Sequence, residues 1–434
     1  MEEHAGMTLE ILAVGDLHLG RRPAGLPQAV VEQHDPARLG PAAAWQRLVD
    51  AAIRQPVDAV LFAGDVVEQE QDFFEAYGLL HTGVRRLVEA GIRVLGVSGN
   101  HDTAVLPRLA RELPGFELLG ADGSWQAARL CGRDGTEAIV HGWSFVEARR
   151  ALSPLADHRF PPASCPQLGL LHCDRDQADS PYAPVSSGEL ERAGLDAWLL
   201  GHIHRPDPLD PGHPSGYLGS VTALRRTEIG PRGPWLYRLD GRGITELRQW
   251  PLAPLQWYEL AVDLSGLNDA ADGRTRLLEQ VRALQARLQG EAWQPRLVGL
   301  QVRLTGRVDQ GGTVRDRLAD ELRDSPLLPG PPDVFVNRLH LETLPEIDLS
   351  HLAREASPAG LLAAQLLALR AGPDDPEYRN LVAEAREALE AECRHKHWQD
   401  LAPVPLDDRA VADRLWQAGT AALDALLAQK AADA

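Results

Sequence analysis

Five short segments of the sequence contain the residue types that bind divalent metal ions. In chain order they are Asp16-Leu17-His18, Gly64-Asp65, Gly99-Asn100-His101-Asp102, His172 and Gly201-His202-Ile203-His204. Carboxylates, an amide oxygen and imidazoles can together hold two divalent ions. Two such ions a few ångströms apart can activate a water and stabilise the attacking and leaving oxygens at a phosphorus centre. The residue types therefore predict hydrolysis of a phosphate ester.

The spacing within these segments indicates how two ions could share the ligands. Asp65 is the natural bridge, because a shared carboxylate lets two cations lie close together. Asp16 and His18 are two residues apart on a chain leaving a strand, so both can turn toward one ion. His202 and His204 have the same spacing, and each can serve a different ion.

The remaining polar residues of the segments complete the predicted site. Asn100 offers a neutral carbonyl oxygen and His172 adds a nitrogen. This mixture of ligands suits Mn²⁺ or Fe²⁺, with Zn²⁺ as an alternative, since no thiolate is present to demand zinc. His101 is not predicted to be a ligand. It follows Asn100 at the edge of the site, where an imidazole could protonate a leaving oxygen.

Predicted strands precede all of these segments. Apolar runs predict strands over 8–14, 58–63, 92–98, 136–141, 167–172 and 196–200. Helical patterns between the first three, at about 42–55 and 72–90, favour an α/β fold with parallel pairing. In open α/β sheets, sites form at the carboxyl ends of the strands. Because every segment follows such an end, we expect the polar side chains to converge.

The pattern changes after about residue 250. A strand over 257–264, a helix with an apolar stripe from Leu277 to Leu288, and a strand in which apolar residues alternate with Gln301 and Arg303 predict a small α+β unit. A helix at about 313–323 and a strand at about 333–344 complete it.

The chain from about 350 onward has a helical pattern, broken near Gly372-Pro373 and at Pro403 and Pro405. The last helix has an apolar stripe made of Val411, Leu415, Ala422 and Leu426, with Trp416 beside it. Two interpretations stay open: the stripe binds a partner as a helix in a groove, or it packs on its own domain.

Length and composition indicate a globular protein of two or three domains. The chain has 434 residues, of which 44% are hydrophobic and 24% charged. It contains no run of eighteen apolar residues, which argues against a membrane span. The N-terminal residues lack the pattern of a signal peptide, which predicts a cytoplasmic protein. Four scattered cysteines argue against a disulfide framework.

The formal net charge of −18 taken alone disfavours binding of nucleic acid, whose phosphates attract Lys and Arg. Locally the sign reverses, because residues 221–250 hold six arginines against three acidic residues. Arg205 directly follows the last ligand segment. We predict that Arg205, Arg225 and Arg226 contact the phosphates of the substrate.

The five segments resemble those of the calcineurin-like metallophosphoesterases. Within that family the chain is most similar to bacterial DNA repair exonucleases of the SbcD and YhaO type, over roughly residues 8–265. The residues that carry this resemblance are Leu170-Leu171-His172, Tyr182-Ala183-Pro184, Leu195 to His204, Gly219-Ser220 and Glu228 to Gly233. The resemblance implies a layered sandwich of sheets flanked by helices.

The resemblance also implies an assignment of ligands. One ion would be held by Asp16, His18, Asp65 and His204, and the other by Asp65, Asn100, His172 and His202. His101 would donate a proton and stabilise the phosphate. The chain departs from many relatives at Glu68, three residues after Asp65, where those relatives have His or Asp.

The domains implied by the resemblance are a catalytic domain (7–252), an α+β capping domain (255–346) that restricts DNA entry, and a helical region (350–434) that grips the coiled coil of an ATPase related to SbcC. A homodimer is possible. The leading hypothesis is a Mn²⁺-dependent DNA exonuclease acting in DNA repair. The alternatives are a phosphodiesterase or pyrophosphatase for small nucleotides, and a non-catalytic subunit that binds DNA ends.

Overall fold

A computed structural model of the chain describes residues 8–267, 269–308, 313–324, 327–345, 347–393 and 407–432. Spatial contacts group these residues into two compact units. The first unit contains the described residues of the ranges 8–308 and 313–343. The second unit contains the described residues of the range 344–432. The three-part division expected from the sequence stays a prediction.

The strands of the first unit are β1 (Leu9–Val14), β2 (Ala59–Phe62), β3 (Arg93–Gly96), β4 (Phe116–Leu118), β5 (Gln126–Cys131), β6 (Glu137–Trp143), β7 (Gln167–His172), β8 (Ala197–Gly201), β9 (Gly216–Tyr217), β10 (Trp235–Asp240), β11 (Gly243–Gln249), β12 (Leu255–Asp263), β13 (Leu297–Thr305), β14 (Arg307–Val308), β15 (Leu327–Leu328) and β16 (Asp333–Leu341). Its helices are α1 (Gln28–Val31), α2 (Pro41–Arg54), α3 (Phe73–Glu89), α4 (Leu106–Glu112), α5 (Ser187–Arg192), α6 (Ala270–Gln289) and α7 (Thr313–Asp324).

Three sheets make up most of this unit. The first has the order β11-β10-β1-β2-β3-β4, and the second has the order β5-β6-β7-β8-β9. Pairing is parallel from β1 through β4 and from β6 through β9. The third sheet has the order β12-β13-β16-β15. The strands and helices predicted around the five ligand segments are confirmed.

The first two sheets pack face to face; helices cover the outer side of the first sheet, and α5 and loops cover that of the second. Leu9 and Ile11 of β1 share one core with Leu168 and Leu170 of β7. Leu12 and the other side chains on the opposite face of the first sheet pack against α2 and α3. Strands buried on both faces explain the continuous apolar runs of the sequence. The α/β sandwich predicted from the sequence is confirmed.

The third sheet is also covered on both faces. One face packs against α6 and α7 through a core that includes Leu277, Val281 and Leu300. On the other face, Trp257 and Phe335 pack against residues of α1 and of the loops that contain Leu39 and Ala223. The alternation of apolar and polar residues in β13 does not leave Gln301 in solvent: its side chain is 8% exposed, because a loop covers it.

The second unit consists of β17 (Leu344–Pro345), α8 (Leu349–Leu352), α9 (Pro358–Ala371), α10 (Pro376–Cys393) and α11 (Asp408–Ala432). The predicted break near Gly372-Pro373 is confirmed, whereas Pro403 and Pro405 lie outside the described residues.

The apolar side chains of α11 answer the question left open by the sequence. Val411, Leu415 and Leu426 pack in the clusters that this unit forms from its own helices, as does Trp416. Ala422 is exposed. Most of the stripe therefore packs on its own unit. In the part of the chain that the structure describes, no helix has the length and apolar character needed to cross a membrane.

Candidate metal centre

The carboxyl ends of five strands bring the predicted ligands to one edge of the sandwich. Asp16 follows β1, Asp65 follows β2 and Asn100 follows β3. His172 is the last residue of β7, and His202 comes directly after β8. Six of the predicted ligands form two groups, in each of which the ligand atoms lie within 4.8 Å of one another. A third group that meets the same distance consists of His18, Glu68 and His101. Sheet topology thus joins residues that are up to 188 positions apart in sequence.

The first group consists of Asp16, His18 and His204. The Nε2 atoms of His18 and His204 lie 3.1 Å apart. One oxygen of Asp16, Oδ1, accepts a hydrogen bond from the backbone N–H of His202 at 2.9 Å. Its other oxygen is buried and has no hydrogen-bond partner among the described residues. A buried carboxylate oxygen without a donor is the group that a cation would satisfy.

The second group consists of Asp65, His172 and His202, with Asn100 beside them. Asn100 Oδ1 lies 3.0 Å from His172 Nε2 and 3.1 Å from His202 Nδ1. Asp65 Oδ2 lies 3.3 Å from His172 Nε2 on this side and 3.8 Å from His18 Nε2 on the other. Asp65 is therefore placed between the groups, as a bridging carboxylate requires.

Carboxylates and a backbone carbonyl contact the outer nitrogens of the four histidines. Glu68 Oε2 lies 2.6 Å from His18 Nδ1, and Glu228 Oε1 lies 2.9 Å from His204 Nδ1. Asp174 Oδ1 lies 3.3 Å from His202 Nε2, and the carbonyl of Ala63 lies 3.0 Å from His172 Nδ1. The Ala63 carbonyl and the Glu228 carboxylate accept hydrogen bonds, so the outer nitrogens of His172 and His204 carry the hydrogen. Such partners fix the tautomer and orientation of histidines that bind metals.

This tautomer assignment tests whether the residues fit two cations. In the neutral ring, the inner nitrogens of His172 and His204 each present a lone pair toward their ligand group. The Asn100 oxygen and the Asp65 and Asp16 carboxylates add further acceptors at the distances given above. Acceptors that face one another at about 3 Å repel unless a proton or a cation lies between them. The donor set therefore fits two divalent ions, which the acceptor surplus on each side would hold.

The pKa values reflect the same surplus of acceptors. Burial alone would lower the pKa of His172, but Asp65 beside it raises that pKa to about 9. Burial alone would raise the pKa of Asp65, yet His172 and His18 bring it far below its usual range. Burial and the neighbouring His172 lower the pKa of His202. The neighbouring charges therefore offset the cost of burial at His172 and Asp65, but not at His202.

Several ligands occupy unusual backbone conformations. The φ angles of His18, Asp65 and His202 are 50°, 47° and 99°. A positive φ costs a residue other than glycine on the order of 1 kcal/mol or more, and such strain is common at functional sites. Gly64, which directly precedes Asp65, has a φ of 96°, and a Cβ added to it would lie 2.6 Å from His172 Nδ1. The glycine of this segment leaves room for the ligand histidine.

Asp102 joins two of the ligand loops. Its buried carboxylate accepts hydrogen bonds from the backbone N–H groups of Val66 (2.7 Å) and Gly99 (2.8 Å). Burial and the nearby charge of Asp65 raise the pKa of Asp102 to about 7, while these backbone donors oppose the rise. Its position in the Gly-Asn-His-Asp segment was the only sequence signal for this role.

His101 lies beside the ligands and is exposed. Its backbone N–H donates to Asp65 Oδ1 at 2.9 Å, and its Nδ1 lies 3.2 Å from the carbonyl of Glu68. The Nδ1–H must donate to that carbonyl, which leaves Nε2 directed away from it. The ring is 5.2 Å from that of His18, centre to centre. A proton donor at this place could reach a substrate that contacts both groups.

The three arginines predicted to bind substrate are all exposed, namely Arg205, Arg225 and Arg226. Two of the other arginines of residues 221–250 are less available. Arg232 is 2% exposed and donates to the carbonyl of His204, and Arg238 pairs with Glu10 at 2.7 Å. The basic character of this stretch therefore rests on fewer residues than its composition indicates.

Comparisons with known proteins place the chain in a family. The calcineurin-like phosphoesterase family matches residues 9–206. The uncharacterized metallophosphoesterase YhaO of Bacillus subtilis is 27% identical over 263 residues, which cover 59% of this chain and 64% of YhaO. The DNA double-strand break repair protein Mre11 of Aeropyrum pernix is 30% identical over 298 residues, which cover 63% of this chain and 69% of that protein.

A second protein of that name, from Haloferax volcanii, is 29% identical over 286 residues, which cover 63% of this chain and 58% of that protein. The matches leave out about a third or more of the length of each of these relatives. Family match, fold and ligand geometry agree with one another. The chain belongs to the calcineurin-like metallophosphoesterases, hydrolases that act on phosphoric esters.

Proposed function

We propose that this protein is a DNA exonuclease that hydrolyses phosphodiester bonds with two divalent ions, Mn²⁺ in particular. The observation that carries the proposal is the meeting of two acceptor groups on either side of Asp65, beside an exposed histidine. The ligand mixture of carboxylate, amide and imidazole supports Mn²⁺, and it also accepts Fe²⁺ or Zn²⁺.

The residues of the site would divide the work. Asp16, His18, Asp65 and His204 would hold one ion, and Asp65, Asn100, His172 and His202 the other. When bound, two such ions supply positive charge at the phosphate and lower the pKa of a water. His101 would donate a proton to the departing 3′ oxygen, which is the role of a general acid. The buried positions of Asp16 and His172 keep the ligands in place while substrate enters from the exposed side.

DNA as the substrate is supported by the relatives named for double-strand break repair. Exposed Arg225 and Arg226 would contact its phosphates, and Arg205 would do the same beside His204. The α+β region 255–346 would act as a capping domain that restricts which DNA enters. A cytoplasmic location follows from a chromosomal substrate.

The helical region 350–434 would bind the coiled coil of an ATPase related to SbcC. Its place after the phosphoesterase residues and its helices support this part of the proposal. A pull-down with an isolated coiled-coil segment of such an ATPase tests it. Retention by the full chain is expected, and no retention at micromolar concentrations would contradict it. We also propose a homodimer, for which sedimentation of the full chain should give twice the mass of one chain; the mass of a single chain would contradict it.

The activity is tested with the purified full chain and Mn²⁺. Linear duplex DNA, single-stranded DNA, bis(p-nitrophenyl) phosphate and a cyclic nucleotide would be compared as substrates, with and without the partner. We expect release of nucleotides from DNA ends. Fast turnover of the small esters with none of DNA would instead indicate a small-nucleotide phosphodiesterase. Binding of DNA ends without any hydrolysis would indicate a non-catalytic subunit.

A further inference from the structure

Glu228 contacts a metal ligand from a loop that the ligand pattern does not include. Its Oε1 accepts from His204 Nδ1 at 2.9 Å. Its Oε2 accepts from the backbone N–H of Leu224 at 2.8 Å and from Ser220 Oγ at 3.2 Å. The residue is 8% exposed. Both carboxylate oxygens are thus fixed, one of them on the histidine ring.

The loop that carries Glu228 is attached to the third sheet. The backbone N–H of Gly230 donates to the carbonyl of Trp257 at 2.8 Å. The side chain of Gln301 donates to the carbonyl of Arg226 at 2.7 Å. Ile229 packs against a core that Trp257 and residues of β13 and β16 share. Residues 225–230 therefore join the sheet at several points and the metal centre at one.

We propose that Glu228 is a positioning residue for His204, and that the third sheet holds Glu228 in place through residues 225–230, so that the affinity for one of the two ions depends on this sheet. The proposal rests on the two-ion site of the proposed function and deepens it. It assigns to the α+β region a supporting role at the metal centre, beyond any effect on DNA entry.

The physical reason is the orientation of the imidazole. A carboxylate that accepts from the outer nitrogen keeps the hydrogen there and directs the inner lone pair at the ion. Loss of such a partner usually lowers metal affinity by about 10- to 100-fold. Because His204 belongs to only one ligand group, only one of the two ions should be affected.

The first test measures Mn²⁺ binding to the ion-stripped full chain by titration calorimetry. Glu228→Ala should weaken one binding step by about 10- to 100-fold and leave the other within about threefold. Glu228→Gln keeps an acceptor oxygen and should weaken the same step less. Glu189→Ala, which removes a carboxylate that bonds to Ser186 at the start of α5, is the control, with both steps unchanged. Equal weakening of both steps, or none, would overturn the positioning role.

The second test examines the third sheet. Gln301→Ala removes the bond to the loop and should weaken the same Mn²⁺ step as Glu228→Ala, by a smaller factor. Gln256→Ala is the matched control, because Gln256 is a buried glutamine of the same sheet that bonds to Pro251 and Tyr258 instead. If Gln301→Ala binds both ions like the unchanged chain, the sheet has no such role. Gln301→Ala also decides the question if neither Glu228 variant folds.

These measurements use no nucleic acid, so they are independent of the nuclease assay. If the unchanged chain binds two ions and the variants do not differ, the coupling is refuted and the proposed activity stands. If the unchanged chain binds fewer than two ions, the two-ion site itself is refuted, and with it both proposals.

Discussion

At the scale of single residues, the arrangement depends most on Asp65, because one of its oxygens faces both ligand groups. Asp65→Asn leaves a neutral amide between two positive charges, which then repel each other. We expect fewer than two Mn²⁺ per chain and at least about a 100-fold loss of bis(p-nitrophenyl) phosphate hydrolysis.

Asp122→Asn is the matched control for this change, since Asp122 is an exposed carboxylate that bonds to Ser124 in a turn. That control should retain two ions and normal turnover. If Asp65→Asn also binds two ions with unchanged affinity, a bridging role for Asp65 is excluded.

His101 is predicted to act on the substrate without holding an ion. His101→Gln should lower hydrolysis by about 10²- to 10⁴-fold, which is the usual contribution of a general acid. Mn²⁺ binding, measured by calorimetry on the same preparation, should stay unchanged. Loss of ion binding in this variant would show that His101 is a ligand. Retained ion binding together with retained turnover would show that His101 is neither a ligand nor the general acid.

Residue types and spacing predicted which side chains converge at the site, because few other arrangements place Asp, Asn and His together after strands. The partners of the ligands could not be predicted in this way. Glu228 and Asp174 reach their histidines only through folded loops, and a glutamate or aspartate in a loop has many possible partners. The carbonyl of Ala63 has no signal in the sequence, since every residue has a carbonyl.

At the scale of elements, the turn after β2 sets the separation of Asp65 and His172. Gly64→Ala adds a Cβ in a backbone conformation with positive φ and against the His172 ring. We expect about 1–3 kcal/mol lower free energy of unfolding in urea, together with weaker Mn²⁺ binding.

Gly194→Ala distinguishes the effect of backbone strain from the effect of the contact with the His172 ring. Gly194 has a φ of 72° with no heavy atom within 4 Å of the added Cβ, so this variant carries the conformational cost without the contact. It should lose stability but keep its affinity for Mn²⁺. Equal ion affinity in both variants would mean that space at Gly64 is unimportant for the site.

The strands before each ligand segment could be predicted because they are buried on both faces and are short apolar runs. The environment of β13 could not. Its alternation of apolar and polar residues is typical of a strand with one solvent-exposed face, yet residues 225–230 cover Gln301. Only a contact between distant parts of the chain determines which polar residues of a strand are covered.

At the scale of the whole molecule, an acidic protein is proposed to bind a polyanion. With three exposed arginines in contact with phosphates, a plot of the logarithm of the DNA-binding constant against the logarithm of the salt concentration should have a slope of about −2.7. This slope corresponds to roughly a 40-fold loss of affinity between 50 and 200 mM salt. Replacing Arg225 and Arg226 together by alanine should reduce the slope to about −0.9. Fluorescence anisotropy with end-labelled duplex DNA measures both.

Arg129→Ala is the control, because Arg129 is exposed and paired with Glu137 at 2.6 Å. Its removal changes net charge without touching the proposed contacts, so the slope should stay the same. A double variant at Arg225 and Arg226 with an unchanged slope would show that DNA contacts lie elsewhere.

The surface charge of the whole molecule was the property that the sequence predicted least well. Six arginines in residues 221–250 indicated a basic surface, but burial of Arg232 and the ion pair of Arg238 remove part of it. A sum over a stretch of sequence does not distinguish an arginine that holds a loop from one that meets solvent. The apolar stripe of the last helix was ambiguous for the same reason, since packing within a domain and binding of a partner need the same pattern.

Diffraction data from Mn²⁺-soaked crystals, collected at the manganese absorption edge, test the central claim most directly. We predict two anomalous peaks about 3.5–4 Å apart on either side of Asp65, one beside Asp16, His18 and His204 and the other beside Asn100, His172 and His202. A single peak, or peaks away from these side chains, would contradict the two-ion centre on which the proposed activity depends.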